Sequence, residues 1–98
     1  MQIENFLRQN LPQIKDVAVI GLADQRLGEI AAAVIEVKDG FTLTEDEVVA
    51  ASQKLPRYQR PRKIIFADIP RNPTGKIEKP TLRKRYGSNN LVADATTN

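Results

Sequence analysis

Apolar residues at Ile3, Phe6, Leu7 and Leu11 recur at helical spacing and predict a short amphipathic helix ending near Asn10 to Pro12. The period then changes. Lys15 to Leu22 reads as a strand, and its segment Val17-Ala18-Val19-Ile20 is continuously apolar, the pattern of a strand buried on both faces. Ala23 to Gly28 reads as a polar loop that ends in glycine. Glu29 to Lys38 returns as a second strand with its apolar run from Ile30 through Val37, and Asp39-Gly40 closes it with a turn signal. Two hydrophobic runs so close together predict an antiparallel pair.

Thr44-Glu45-Asp46-Glu47 has the form of a capping box, with Thr44 placed to bind the backbone of Glu47 and three acids in the first turn. The helix it opens is expected to run to about Leu55, burying Val48, Ala51, Ser52 and Leu55, with Pro56 just past its end. Arg57 to Pro61 is then a loop, and Lys63-Ile64-Ile65-Phe66-Ala67 is a third strand ending at Asp68. Pro80 suits a first helical position, so Thr81 to Tyr86 predicts a short basic helix stopped by Gly87. Ser88 to Asn98 is polar and aperiodic and is expected to be disordered. The pattern is that of one α+β domain over residues 1–87, a small three-stranded β-sheet covered by helices, followed by a tail over residues 88–98.

Composition removes several functions. The chain has 98 residues, 41% hydrophobic and 28% charged, as in an ordinary globular domain. It holds neither cysteine nor histidine. Disulfides, a thiol nucleophile, the commonest general base and a Ser-His-Asp hydrolase are therefore all excluded. No apolar run is long enough to span a bilayer, and Met1 to Asn5 does not read as a signal peptide. Charge is uneven: Met1 to Gln53 carries 4 Lys/Arg against 9 Asp/Glu, whereas Lys54 to Asn98 carries 11 against 3. The basic second half fits a polyanionic partner or a plain solvated surface.

Within that half, Ile69-Pro70-Arg71-Asn72-Pro73-Thr74-Gly75-Lys76-Ile77 is the stretch with chemical content. Pro70 and Pro73 fix φ and remove donors, so the segment is neither helix nor a good strand. Thr74-Gly75 adds turn chemistry, with Gly75 free to take φ > 0. The result is one ammonium, Lys76, on a stiff loop. It is not a phosphate-binding loop, which needs an upstream glycine and a Ser/Thr after the lysine.

The run Pro70 to Lys79 resembles the closing motif of the adenylate-forming (AMP-binding) enzymes, a Pro-Arg-x-x-x-Gly-Lys-Ile/Val loop that carries a catalytic lysine. That family includes acyl- and aryl-CoA synthetases, peptide-synthetase adenylation domains and luciferases. Leu55-Pro56-Arg57-Tyr58-Gln59-Arg60-Pro61 is similar to a second family motif, with Gln59 where many members have lysine. Val17-Ala18-Val19-Ile20-Gly21, Ala23-Asp24 and Gly28-Glu29 resemble its early strand and following loop. The likeness runs from Ile3 to Arg85 and is strongest to acyl- or aryl-CoA synthetases, the Tyr58 to Arg62 loop most closely resembling that of benzoate-type CoA ligases.

The resemblance implies a carboxy-terminal lid domain of an AMP-forming acid–thiol ligase. Its catalytic residue would be Lys76, with Thr74, Gly75 and Lys76 against ATP or the adenylate. Tyr58 would stack on the adenine of CoA while Arg60 and Arg62 hold its phosphates. The plainer alternative has surface arginines with Tyr58 packed on the core. Gly28-Glu29 is given no role, since a glycine ending a loop before a strand explains it. Substrates of the whole enzyme would be a carboxylic acid, ATP with Mg, and CoA, none bound tightly by this domain. No metal site is expected. The partner would be the larger amino-terminal adenylation domain, of which nothing is present here, and the setting cytoplasmic. The chain alone is then expected to be inactive. A different class of reading is a stand-alone basic module for nucleic acid or an acidic carrier protein. Against it stand little aromatic interleaving and no nucleic-acid motif.

Overall fold

The continuous apolar runs are explained by a sheet covered on both faces. A computed structural model describes residues 3–24, 26 and 28–87. Its elements are α1 (Ile3–Asn10), β1 (Ile14–Asp24), β2 (Gly28–Val37), α2 (Glu45–Ser52), a 3-10 turn (Arg57–Gln59), β3 (Lys63–Phe66) and α3 (Lys79–Leu82). A wider π-type turn, Arg83–Gly87, continues α3. β2 is central: β1 pairs with it antiparallel and β3 parallel. Alternate side chains point to opposite faces of a strand. Val17, Ala33 and Ile35 accordingly pack with Leu7, Leu11 and Val48 under α1 and α2. Ala18, Ile20, Leu22, Ala32 and Val34 pack with Ile69 and Leu82 on the other face. The expected α+β domain is the one observed.

Three boundaries differ from expectation. The loop over Ala23 to Gly28 is shorter than its polar composition predicts, because the ladder continues through Ala23↔Glu29 to Asp24↔Gly28. Gly28 takes φ 83° where the ribbon reverses, a conformation that costs glycine little. α2 stops at Ser52 rather than near Leu55, yet Leu55 remains buried. The last helix begins at Lys79 and widens after Leu82 instead of running regularly to Tyr86. The tail expected to be disordered, residues 88–98, lies outside the described residues.

Two polar devices set the helices. The capping box forms as predicted: Glu47 N–H donates to Thr44 Oγ1 at 3.2 Å, and Thr44 N–H donates to Glu47 Oε1 at 2.8 Å. Glu4 of α1 covers the outer edge of β1. Its Oε2 accepts Val19 N–H at 2.7 Å and pairs with Lys79 Nζ at 2.7 Å. An open strand edge is a site for unwanted pairing, and the carboxylate closes part of it.

Candidate functional site

After β3 the chain crosses the end of the sheet towards β1. Ala67 N–H still donates to Ile35 O at 3.0 Å, and Ile69 N–H donates to Glu36 Oε1 at 3.0 Å. The chain then folds into a small hairpin closed by an antiparallel bridge between Arg71 and Ile77. With no donors on Pro70 and Pro73, a longer ladder cannot form. Asn72 takes over the work. Its Oδ1 accepts from Thr74 N–H at 3.0 Å, the Thr74 hydroxyl at 2.6 Å and Lys76 N–H at 3.0 Å. Its backbone N–H donates to Lys76 O at 2.9 Å, and its carbonyl accepts Gly75 N–H at 2.8 Å. Gly75 takes φ 88°, as the sequence requires of this position.

The backbone of Lys76 is thus held from both sides, while its exposed ammonium has no salt-bridge partner among the described residues. Thr74 and Gly75, expected beside Lys76 at the nucleotide, lie in the same loop. The amide of each, and the Thr74 hydroxyl proton, are already donated inside the loop. Of the three residues, Lys76 is the one with donors left for a ligand.

Arg71 ties the hairpin to the sheet. Its Nε and Nη2 donate to the two carboxylate oxygens of Asp16 on β1, the first at 3.0 Å, and its Nη1 donates to the Gly75 carbonyl. The hydrogen bond to Asp16 raises the Arg71 pKa above its already high ordinary value. Sequence reasoning named neither residue as functional. Asn72-Pro73-Thr74 carries a legible side-chain turn signal, but nothing local announces a pairing across 55 positions.

The second group of expected site residues separates. Tyr58 lies on the 3-10 turn and is 85% exposed, so it is not packed on the core. Arg60 turns back onto the segment that follows α2, donating from Nε to Leu55 O and from Nη2 to the O of the C-cap residue Gln53, both at 3.0 Å. Carbonyls at a helix end lack intrahelical partners, and a cation there satisfies them and the helix dipole together. Arg62 remains exposed and lines an open cleft of about 250 Å³ with Asp24, Arg26 and Ile30. Arg26 was not foreseen; its place beside Arg62 follows from β3 pairing alongside β2, with Arg62 N–H donating to Ala31 O at 2.8 Å.

The lysine hairpin and the arginine cleft lie at opposite ends of β2. The hairpin is anchored beside Glu36 and the cleft beside Ile30. Six residues of strand separate those positions, roughly 20 Å at 3.3 Å per residue. One arrangement presents a lysine and the other a pair of arginines.

A small α+β domain with a presented lysine at one end of its sheet and an arginine cleft at the other is the class this structure defines. Residues 2–76 match the family described as the AMP-binding enzyme C-terminal domain, and the chain belongs to that family. It is 49% identical over 80 residues to the long-chain-fatty-acid–CoA ligase FadD13 of Mycobacterium tuberculosis, covering 80% of this chain and 16% of that protein. It is 42% identical over 85 residues to the 3-[(3aS,4S,7aS)-7a-methyl-1,5-dioxo-octahydro-1H-inden-4-yl]propanoyl:CoA ligase of Rhodococcus jostii, covering 85% and 16%. Among solved structures it superposes on the Mycobacterium tuberculosis fatty acyl CoA synthetase with TM-score 0.79 and 44% identity, over 89% of this chain and 17% of that one. The chain therefore spans about a sixth of the length of these relatives. No helix among the described residues is long and apolar enough to cross a membrane.

Proposed function

We propose that this chain is the lid domain of an ATP-dependent, AMP-forming acyl-CoA synthetase, and that Lys76 is its adenylation lysine. The observation that carries the reading is a lysine whose backbone is held at both its N–H and its carbonyl while its ammonium stays unpaired among the described residues. In adenylation a carboxylate oxygen attacks the α-phosphorus of ATP, and the bond to pyrophosphate breaks. Two anions must meet and charge grows on phosphorus. A fixed ammonium can bridge the carboxylate and a phosphate oxygen, orienting and neutralising both. No proton transfer is asked of it. Thr74 and Gly75 serve the ATP site through the shape they give the loop.

The second half-reaction transfers the acyl group to the thiol of CoA and releases AMP. We assign the nucleotide end of CoA to the opposite end of the sheet, with Tyr58 exposed to stack on adenine and Arg62, joined by Arg26, facing its phosphates. Arg60 leaves this set because its guanidinium is engaged on the carbonyls that follow α2. A lid that changes pose between the two steps is part of the same proposal, with the lysine loop and the arginine cleft on separate parts of the domain. Relatives that match this domain at 49% and 42% identity act, by their names, on a long-chain fatty acid and a polycyclic propanoate. The acid is therefore chosen outside this domain, by the amino-terminal partner. A cytoplasmic setting belongs to the same proposal.

The test is Lys76→Ala in the full-length enzyme containing this sequence, with the two half-reactions measured separately. Adenylation is expected to fall about 10²–10³-fold, the scale of removing one preorganised donor from a developing oxyanion. Thioester formation from a supplied acyl-adenylate should be nearly unchanged. Equal losses in both steps would make Lys76 structural, and no loss in either would end the reading.

A further inference from the structure

The hairpin that presents Lys76 is too small to hold itself in place. It has one backbone bridge, Arg71↔Ile77, and two prolines without donors; even a full two-stranded hairpin is marginal alone in water. Its register on the sheet must come from side chains. Glu36 ties the entry, accepting Ile69 N–H at 3.0 Å on one oxygen and holding Lys15 Nζ at 3.3 Å with the other. Arg71 ties the tip. Two nitrogens of its planar fork engage both oxygens of Asp16, and the third reaches the carbonyl of Gly75, the residue before Lys76. The Asp16 side chain is 9% exposed, so this is a nearly buried carboxylate on the outer strand. The Arg71 side chain is 43% exposed, so the pair adds little net stability, and what the planar fork supplies is a fixed geometry. A lysine in place of Arg71 would supply charge but not three donors in a fixed plane.

We infer that Arg71 is a positioning residue for adenylation: through Asp16 on one side and the Gly75 carbonyl on the other, it fixes where Lys76 is presented. The inference rests on the reading of Lys76 as the adenylation lysine. Arg71 acts through Lys76 and touches no substrate. Asp16 is the fixed end of the clamp, held in the ladder opposite Glu36.

The test uses the full-length enzyme carrying this domain, with Lys76→Ala, Arg71→Ala, Arg71→Lys and the double variant Arg71→Ala/Lys76→Ala. Each is checked by thermal melting, and both half-reactions are followed by rapid quench. Arg71→Ala is expected to lower adenylation about 10–100-fold, below the loss from removing the lysine itself. Thioester formation from supplied acyl-adenylate should stay within about threefold, and Arg71→Lys should fall between wild type and Arg71→Ala. The double variant should be no slower in adenylation than Lys76→Ala, because a residue that acts only through the lysine has nothing to lose once it is gone. A merely structural arginine would slow both half-reactions and add its loss to that of Lys76→Ala, and either result overturns the inference. Should Arg71→Ala not fold, a folded Arg71→Lys with wild-type adenylation overturns it equally. If Lys76→Ala itself adenylates normally, the reading of Lys76 fails and the inference falls with it. If Lys76→Ala is slow while Arg71→Ala is not, the inference alone fails.

Discussion

Arg60 and Arg62 are two residues apart and identical in chemistry, yet Arg60 lies on the carbonyls after α2 and Arg62 on an exposed cleft, and a paired substitution tests the different roles proposed for them. In Arg60→Ala, the carbonyls of Leu55 and Gln53 lose their cationic donor beside the end of α2. One of these bonds is partly buried and the other exposed. Net hydrogen bonds are worth roughly 0.5–1.5 kcal/mol, or 1.5–3 when one partner is charged. Exposure of the second and the return of water to both carbonyls reduce the sum to about 1–2 kcal/mol, including a few tenths from the helix dipole. For a domain of this size that corresponds to a fall in Tm of about 5–15 °C. Arg62→Ala removes an exposed side chain and should change stability by less than about 0.5 kcal/mol. Denaturant melts of the 98-residue chain, followed by circular dichroism, read these differences directly. The affinity order is reversed. In the full-length enzyme Arg62→Ala should raise the KM for CoA by about 10–100-fold, the loss of one charged phosphate contact, while Arg60→Ala leaves it within about threefold once the domain is folded. Melts that coincide for Arg60→Ala and wild type, together with equal CoA defects in both variants, would refute the assignment.

Leu82 is completely buried where α3 meets the sheet, so Leu82→Ala should cost about 2–5 kcal/mol in denaturant unfolding, with the α1–α2 face left to hold the fold. Gly75→Ala meets no neighbouring atom but must adopt φ 88°. The strain of about 1–2 kcal/mol should loosen the lysine loop and slow adenylation more than thioester formation, a difference that the same half-reaction assays detect.

Much of the architecture was legible because it depends on local chemistry. Period and composition marked α1, the three strands and the capped start of α2, since a buried strand must be apolar throughout and Thr44 with Glu47 satisfies its helix end without help. Two prolines and a glycine were enough to mark the stretch around Lys76 as a stiff turn, because φ restrictions act residue by residue. What the chain could not announce locally was decided by the sheet. Pairing β3 parallel to β2 set Arg62 beside Arg26 at one end of the domain and carried the following segment past Glu36 to Asp16 at the other. The same closure returned Arg60 to the carbonyls that follow α2, so of two neighbouring arginines one became a cap and the other stayed exposed on the cleft. A charge on an isolated segment has no preferred partner. Only when distant strands are brought into register does a guanidinium find the carboxylate 55 positions away that decides what it does.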